Sequence, residues 1–103
     1  MIARIWRAAA EAAKADAYQA HFAAKVAPHL KQLTGHQGAY LLRREADGTV
    51  EILAVTLWDS VEAIQQFAGP DPTRAIVEPE SRAVLSVSDD FARHYDVAYT
   101  NVR

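Results

Sequence analysis

The chain contains no cysteine, only four glycines and four prolines, and no long run of apolar or like-charged residues. Each absence removes a class of function. Without cysteine there are no disulfides, thiolate metal sites or cysteine nucleophiles. The scattered glycines form neither a phosphate-cradling loop nor a dinucleotide fingerprint, and no serine sits in a Gly-x-Ser-x-Gly elbow. The longest basic run is Arg43-Arg44, and 11 basic against 13 acidic residues give a net charge of -2. That is no electrostatic footprint for nucleic acid. No stretch approaches the ~18 apolar residues of a transmembrane helix. The N-terminal MIARIWRAAAEAA bears arginine and is rich in alanine, but Glu11, Lys14 and Asp16 interrupt it before a signal-peptide core forms. The expectation is a cytoplasmic protein with neither membrane nor nucleic-acid partners.

Metal-binding patterns are missing as well. His21 and His29 are eight residues apart, which puts them roughly 80° apart on a helix and makes no ligand pair. His36 follows a loop glycine, and there is no His-Glu-x-x-His. Asp89-Asp90 reads as a solvated turn.

What is present is a hydrophobic half of the residues, enough for a globular fold. The 103 residues suggest one domain, 1–103. A chain this short buries only about 60–65% of its unfolded surface, so its core is thin and a partner can add stability.

Periodicity gives the elements. IARIWRA, 2–8, reads as a strand. Residues 11–33 read as a long helix, with Tyr18, Phe22, Val26, Leu30 and Leu33 as one apolar stripe. Pro28 inside it predicts a kink or break, and Gly35 a stop. Asp47-Gly48 is a hairpin signal between β-rich runs at 37–45 and 49–58. Ser60 is placed to cap a helix whose apolar face is Val61, Ile64, Phe67 and Ala68. Gly69-Pro70 ends it. PDPTRAIV is irregular, Pro79-Glu80 suits the start of a short helix, and FARHYDVAY, 91–99, reads as a last strand. The order β-α-β-β-α-β predicts an α+β, ferredoxin-like fold: a four-stranded antiparallel sheet with helices on one face.

The third strand is apolar on both faces: Ile52, Ala54, Thr56 and Trp58 on one, Leu53, Val55 and Leu57 on the other. In the first strand Ile2, Arg4 and Trp6 oppose Ala3 and Ile5. Two helices cover one face only, and a bare apolar sheet would aggregate. A homodimer packing sheet on sheet about a two-fold axis solves this.

This element order, with the blocks LWDSVEAIQQFAG, VEPESRAVL and HYDV, resembles the antibiotic biosynthesis monooxygenase family of the dimeric α+β barrel superfamily. The resemblance spans essentially the whole chain, and the block around Trp58 is its most specific part. It implies a cofactor-independent monooxygenase that uses dioxygen on a small aromatic, quinol-like or enolisable substrate. Relatives include haem-degrading enzymes and enzymes that process signalling molecules, and many members have no established activity. The alternative is a non-catalytic small-molecule-binding or interaction protein of the same fold. Trp58 matches a tryptophan that lines the pocket of the haem-degrading relatives. Those relatives also carry an asparagine on the first strand and a histidine on the second helix. Here the first strand has Arg4 and Trp6, and helix 60–68 has no histidine. The expected cofactor set is therefore empty.

Several residues are candidates for such a site. Trp58 and Trp6 share the presumed helix-facing side, as aromatic walls for a flat substrate or as core fillers. Arg4 on the same side would stabilise an enolate, phenolate or peroxide, or else pair with an acid at the sheet edge. His94 and Tyr95 are adjacent on a strand and point to opposite faces, so at most one reaches the pocket. His94 is a candidate general base, with the dimer interface or rim as its other placement. Tyr40 is a further pocket phenol or an ordinary half-buried strand residue.

The doubly apolar sheet predicts a dimer in size-exclusion chromatography with light scattering. A monomer at micromolar concentration would remove the argument.

Overall fold

A computed structural model describes residues 1–102. Strand β1 (Ile2–Glu11) leads into α1 (Ala12–His21), a π-helical turn (Phe22–Val26) and α2 (Ala27–Lys31). Strands β2 (His36–Ala46) and β3 (Thr49–Trp58) form a hairpin, followed by α3 (Val61–Ala68), α4 (Pro79–Val84), β4 (Val87–Ser88) and β5 (Arg93–Asp96). The sheet is open, antiparallel and ordered β2-β3-β1, with both β4 and β5 on the far edge of β1. This is the expected ferredoxin-like α+β arrangement. No described helix is long and apolar enough to cross a membrane.

Local chemistry explains most boundaries. Asp47 and Gly48 both have positive φ, 54° and 78°, which a tight hairpin turn requires. The Ser60 side chain accepts the Ala63 N–H at 3.1 Å and caps α3. Pro28 lies in the first turn of α2, and the π-helical turn immediately precedes it. In that turn the Ala27 N–H reaches back five residues to the Phe22 carbonyl. An apolar stripe spaced by fours drifts about 40° per step around an α-helix. The wider turn winds Phe22 and Val26 back in line with Tyr18 and Leu30 before proline forbids the next regular bond.

Two differences from the sequence expectation stand out: β1 continues to Glu11, three residues past the expected end at Ala8, and the last strand is interrupted. Its place is divided: β4 pairs with Ala8 and Ala9, and β5 pairs with Ile2 to Ile5. Between them the chain leaves the sheet edge. Asp90 accepts the Ala75 N–H at 2.9 Å, the Ala92 N–H donates to Thr73 at 2.7 Å, and Arg74 bridges to Phe91. Backbone pairing with the 73–75 segment therefore outcompetes a continuous strand.

Alternation along β1 and β3 puts Arg4, Trp6, Ala8 and Ala10 beside Val50, Ile52, Ala54, Thr56 and Trp58 on the helix-facing side, all buried. Tyr18, Phe22, Leu30, Ala63 and Ile64 close over them. The opposite face presents Ile5, Leu53, Val55 and Leu57, with Tyr40, Leu42 and Tyr95 about half exposed.

Gly35 is where β2's entry meets α3. Its φ is +86°, its carbonyl accepts the Asp59 N–H at 2.8 Å, and a Cβ there would lie 2.7 Å from the Ala63 Cβ. Gly48 is also left-handed but faces open space. Gly35→Ala should therefore cost about 2–4 kcal/mol in urea unfolding, from backbone strain plus overpacking. Gly48→Ala should cost about 1 kcal/mol, from backbone strain alone. Equal losses would show that the close approach is relieved elsewhere.

Candidate functional site

A cavity of about 40 Å³ lies between the sheet and the helices. Its apolar walls include Trp6, Phe22, Val26, Leu30 and Phe67. Its polar lining is Arg4, Tyr18, Thr56, Glu78 and Ser81. Three origins meet here. The alternate residues of β1 and β3 form the floor, and the stripe of the long helix forms one side. The irregular segment after α3, through Ile76, Val77 and Glu78, forms the rim.

Arg4 dominates the electrostatics. It is 5% exposed, and no carboxylate lies within ion-pairing distance of it among the described residues. Its Nη2 donates to the Arg74 carbonyl at 2.7 Å and its Nε to that of Pro72 at 3.5 Å. Its guanidinium carbon stands 5.5 Å over the Phe67 ring. Burial pulls its pKa down to about 10, so it remains a cation at neutral pH. The dipoles of two carbonyls and the face of one ring thus stabilise a buried charge that lacks a counter-ion. The segment that supplies the carbonyls is itself shaped by Asp71, whose carboxylate accepts from the Thr73 N–H at 3.0 Å and hydroxyl at 2.7 Å.

On the helix side, Tyr18 is pushed up to about 12, first by desolvation and then by the charge of Glu78. Its phenol is therefore a proton donor at neutral pH. Glu78 is the one carboxylate in the lining, and its Oε2 lies 3.6 Å from Nε2 of His21. That nitrogen is buried and has no hydrogen-bond partner. Among the described residues, no three potential metal ligands converge.

The structure treats the sequence candidates unequally. Arg4 and Trp6 line the cavity, and the Trp6 indole N–H is fixed by the Asp89 carbonyl at 2.8 Å. Trp58 is fully buried behind the wall. It donates to the Thr56 hydroxyl at 2.8 Å and packs 6.3 Å from Phe67 and 5.0 Å from His36, so it supports two lining residues without being one. His94 pairs with Arg4 in register and so shares its face, but it is not part of the lining. Tyr40 and Tyr95 sit opposite Val55 and Ala3, on the far side of the sheet, because strand residues alternate. Neither lies on the cavity side. Tyr18, Thr56 and Glu78 were not among the sequence candidates. Tyr18 and Thr56 read there only as packing positions, and Glu78 sits in a segment without periodicity.

The model of the family described as "Antibiotic biosynthesis monooxygenase" matches residues 1–79. The chain belongs to the antibiotic biosynthesis monooxygenase family. The match includes Arg4, Trp6, Tyr40, Trp58 and Glu78 and ends before His94 and Tyr95. A Bacillus cereus crystal structure, provisionally described as an antibiotic biosynthesis monooxygenase, superposes with a TM-score of 0.71 at 14% identity. It covers 100% of this chain and 96% of its own, a likeness of fold. No functionally curated protein matches the chain.

Two histidines in this family member carry a pH signature. Desolvation lowers the pKa of His36, and desolvation followed by the charge of Arg4 lowers that of His94. Both hold a buried, unpartnered ring nitrogen, Nδ1 of His36 and Nε2 of His94. The unfolded chain takes up these protons near pH 6.5, before the folded one does. Their contribution to stability is therefore intact above about pH 6.5 and lost as pH falls through the lowered folded values. Ring NMR titrations should show both below the ordinary histidine range. The fall in melting temperature below about pH 6.5 should be smaller in His94→Gln than in the parent.

Proposed function

We propose that this chain is a small oxygenase that uses dioxygen, without metal or flavin, on a small aromatic, quinol-like or enolisable molecule. The observation that carries this reading is Arg4: a buried cation without a counter-ion, in the wall of a mostly apolar cavity. Such a group favours the anionic form of a bound phenol or enol. The anion can pass one electron to dioxygen, and the resulting pair recombines at carbon as a hydroperoxide. Loss of water then leaves a carbonyl. In balance, a methylene group and one dioxygen become a carbonyl group and one water. The substrate supplies every electron, so no external reductant is needed. Trp6 and Phe67 would flank a flat ring, Trp58 holds Thr56 and Phe67 in place, and His94 tunes the field around Arg4.

Two further features belong to this reading. The second apolar face of the sheet is covered by a second copy, giving a homodimeric barrel; Tyr40 and Tyr95 then belong to that interface rather than to substrate. The cavity of about 40 Å³ holds a few waters or dioxygen, whereas ligand pockets run to roughly 300–1,000 Å³. Substrate therefore enters as the rim segment 69–78 moves aside. Ile76 on that rim is already 44% exposed. The same small volume favours the second reading, a non-catalytic protein of this fold whose interior is largely core.

An oxygen electrode with a panel of quinols and anthrones separates the two. The expected result is stoichiometric oxygen uptake that falls about 10²–10³-fold in Arg4→Met and less in Arg4→Lys. No uptake across the panel leaves the binding reading.

A further inference from the structure

We propose that Glu78 is the proton acceptor of this cavity, with His21 as its positioning residue. The inference rests on the oxygenase reading for the class of substrate, but its geometry stands alone. An anion must be made from a neutral substrate, so some group touching the cavity must accept a proton. Arg4 cannot, since it is already the cation. Tyr18 holds its own proton. His94 lies outside the lining, and Thr56 and Ser81 are hydroxyls. The remaining polar group in the lining able to accept a proton is the Glu78 carboxylate.

Its setting suits the role. Glu78 is fixed by backbone at the start of α4, where its carbonyl accepts the N–H groups of Ser81 and Arg82 at 3.0 Å each. Its side chain lies where the irregular rim meets the long helix. Behind it, Nε2 of His21 is buried, lacks a hydrogen bond and stands 3.6 Å from Oε2. That spacing is slightly long for a hydrogen bond, as is common for catalytic contacts without substrate, and it closes with a small rotation. His21 then fixes which carboxylate oxygen faces the substrate.

The step is a proton transfer. The substrate C–H or O–H bond breaks, its electron pair stays on the substrate as enolate or phenolate, and the proton moves to a Glu78 oxygen. Arg4 and Glu78 thus divide the work: one stabilises the charge that forms, and the other takes the proton that leaves.

Anaerobic exchange of the anthrone methylene hydrogens with heavy water, followed by proton NMR, tests this without requiring oxygen chemistry. The full chain should accelerate exchange above the buffer rate. Glu78→Gln should slow it about 10²–10⁴-fold with anthrone affinity unchanged, and Glu78→Asp should restore part of the rate. His21→Gln should slow exchange in the parent and have no effect in the Glu78→Gln background, as a group acting through Glu78 requires. Thermal melts of each variant show that it is folded. Exchange without oxygen uptake would defeat the oxygenase reading and leave the base standing. Oxygen uptake and exchange within about twofold of the parent in Glu78→Gln would overturn the base and leave the oxygenase reading. Absence of exchange in the parent overturns the assignment outright.

Discussion

A single buried guanidinium organises this molecule. Arg4 occupies the middle of the sheet, on the side the helices cover, and among the described residues no carboxylate pairs with it. Water would ordinarily solvate such a charge. Here the carbonyls of Pro72 and Arg74 do so, and they belong to a segment with no helix or strand of its own. The charge therefore shapes the segment, and the segment in turn closes the cavity. The pairing of residues 73–75 with 90–92 is part of the same arrangement, which is why the final strand is divided. Remove the positive charge and the rim loses its anchor along with its electrostatic purpose.

Trp58 stands next in this order. Its indole N–H finds the hydroxyl two residues earlier on its own strand, so an otherwise costly buried donor is satisfied within β3. One ring thus contacts both Thr56 and Phe67, two residues of the wall between core and cavity. The conspicuous aromatic of the sequence supports the site from behind, while Arg4, Trp6, Thr56 and Phe67 are among the residues that form its surface.

How far the sequence could be read follows from which interactions are local. The hairpin at Asp47-Gly48, the Ser60 cap and the apolar stripe from Tyr18 to Leu33 depend on neighbours within a few residues, and each was legible. The side on which Arg4, Trp6 and Trp58 lie follows from strand alternation and was legible too. The choice between His94 and Tyr95 was not, because it depends on register against β1, at the other end of the chain. The same holds for Tyr40, whose face is set by its pairing with Val55. Glu78 was the hardest to see. It sits in a stretch with no period, and only the folding of the rim over the helix brings it to Tyr18 and His21.

The π-helical turn carries a further consequence. Phe22 and Val26, its first and last residues, both face the cavity. Such a turn holds one more residue than regular winding would use. Relaxing it to ordinary α-helix would rotate everything after it by about 100° and carry Leu30 out of the wall. The shape of the chamber is thus a matter of helical phase as well as side-chain identity. A single inserted or deleted residue near Pro28 would remodel the chamber more thoroughly than replacing any one of its lining residues.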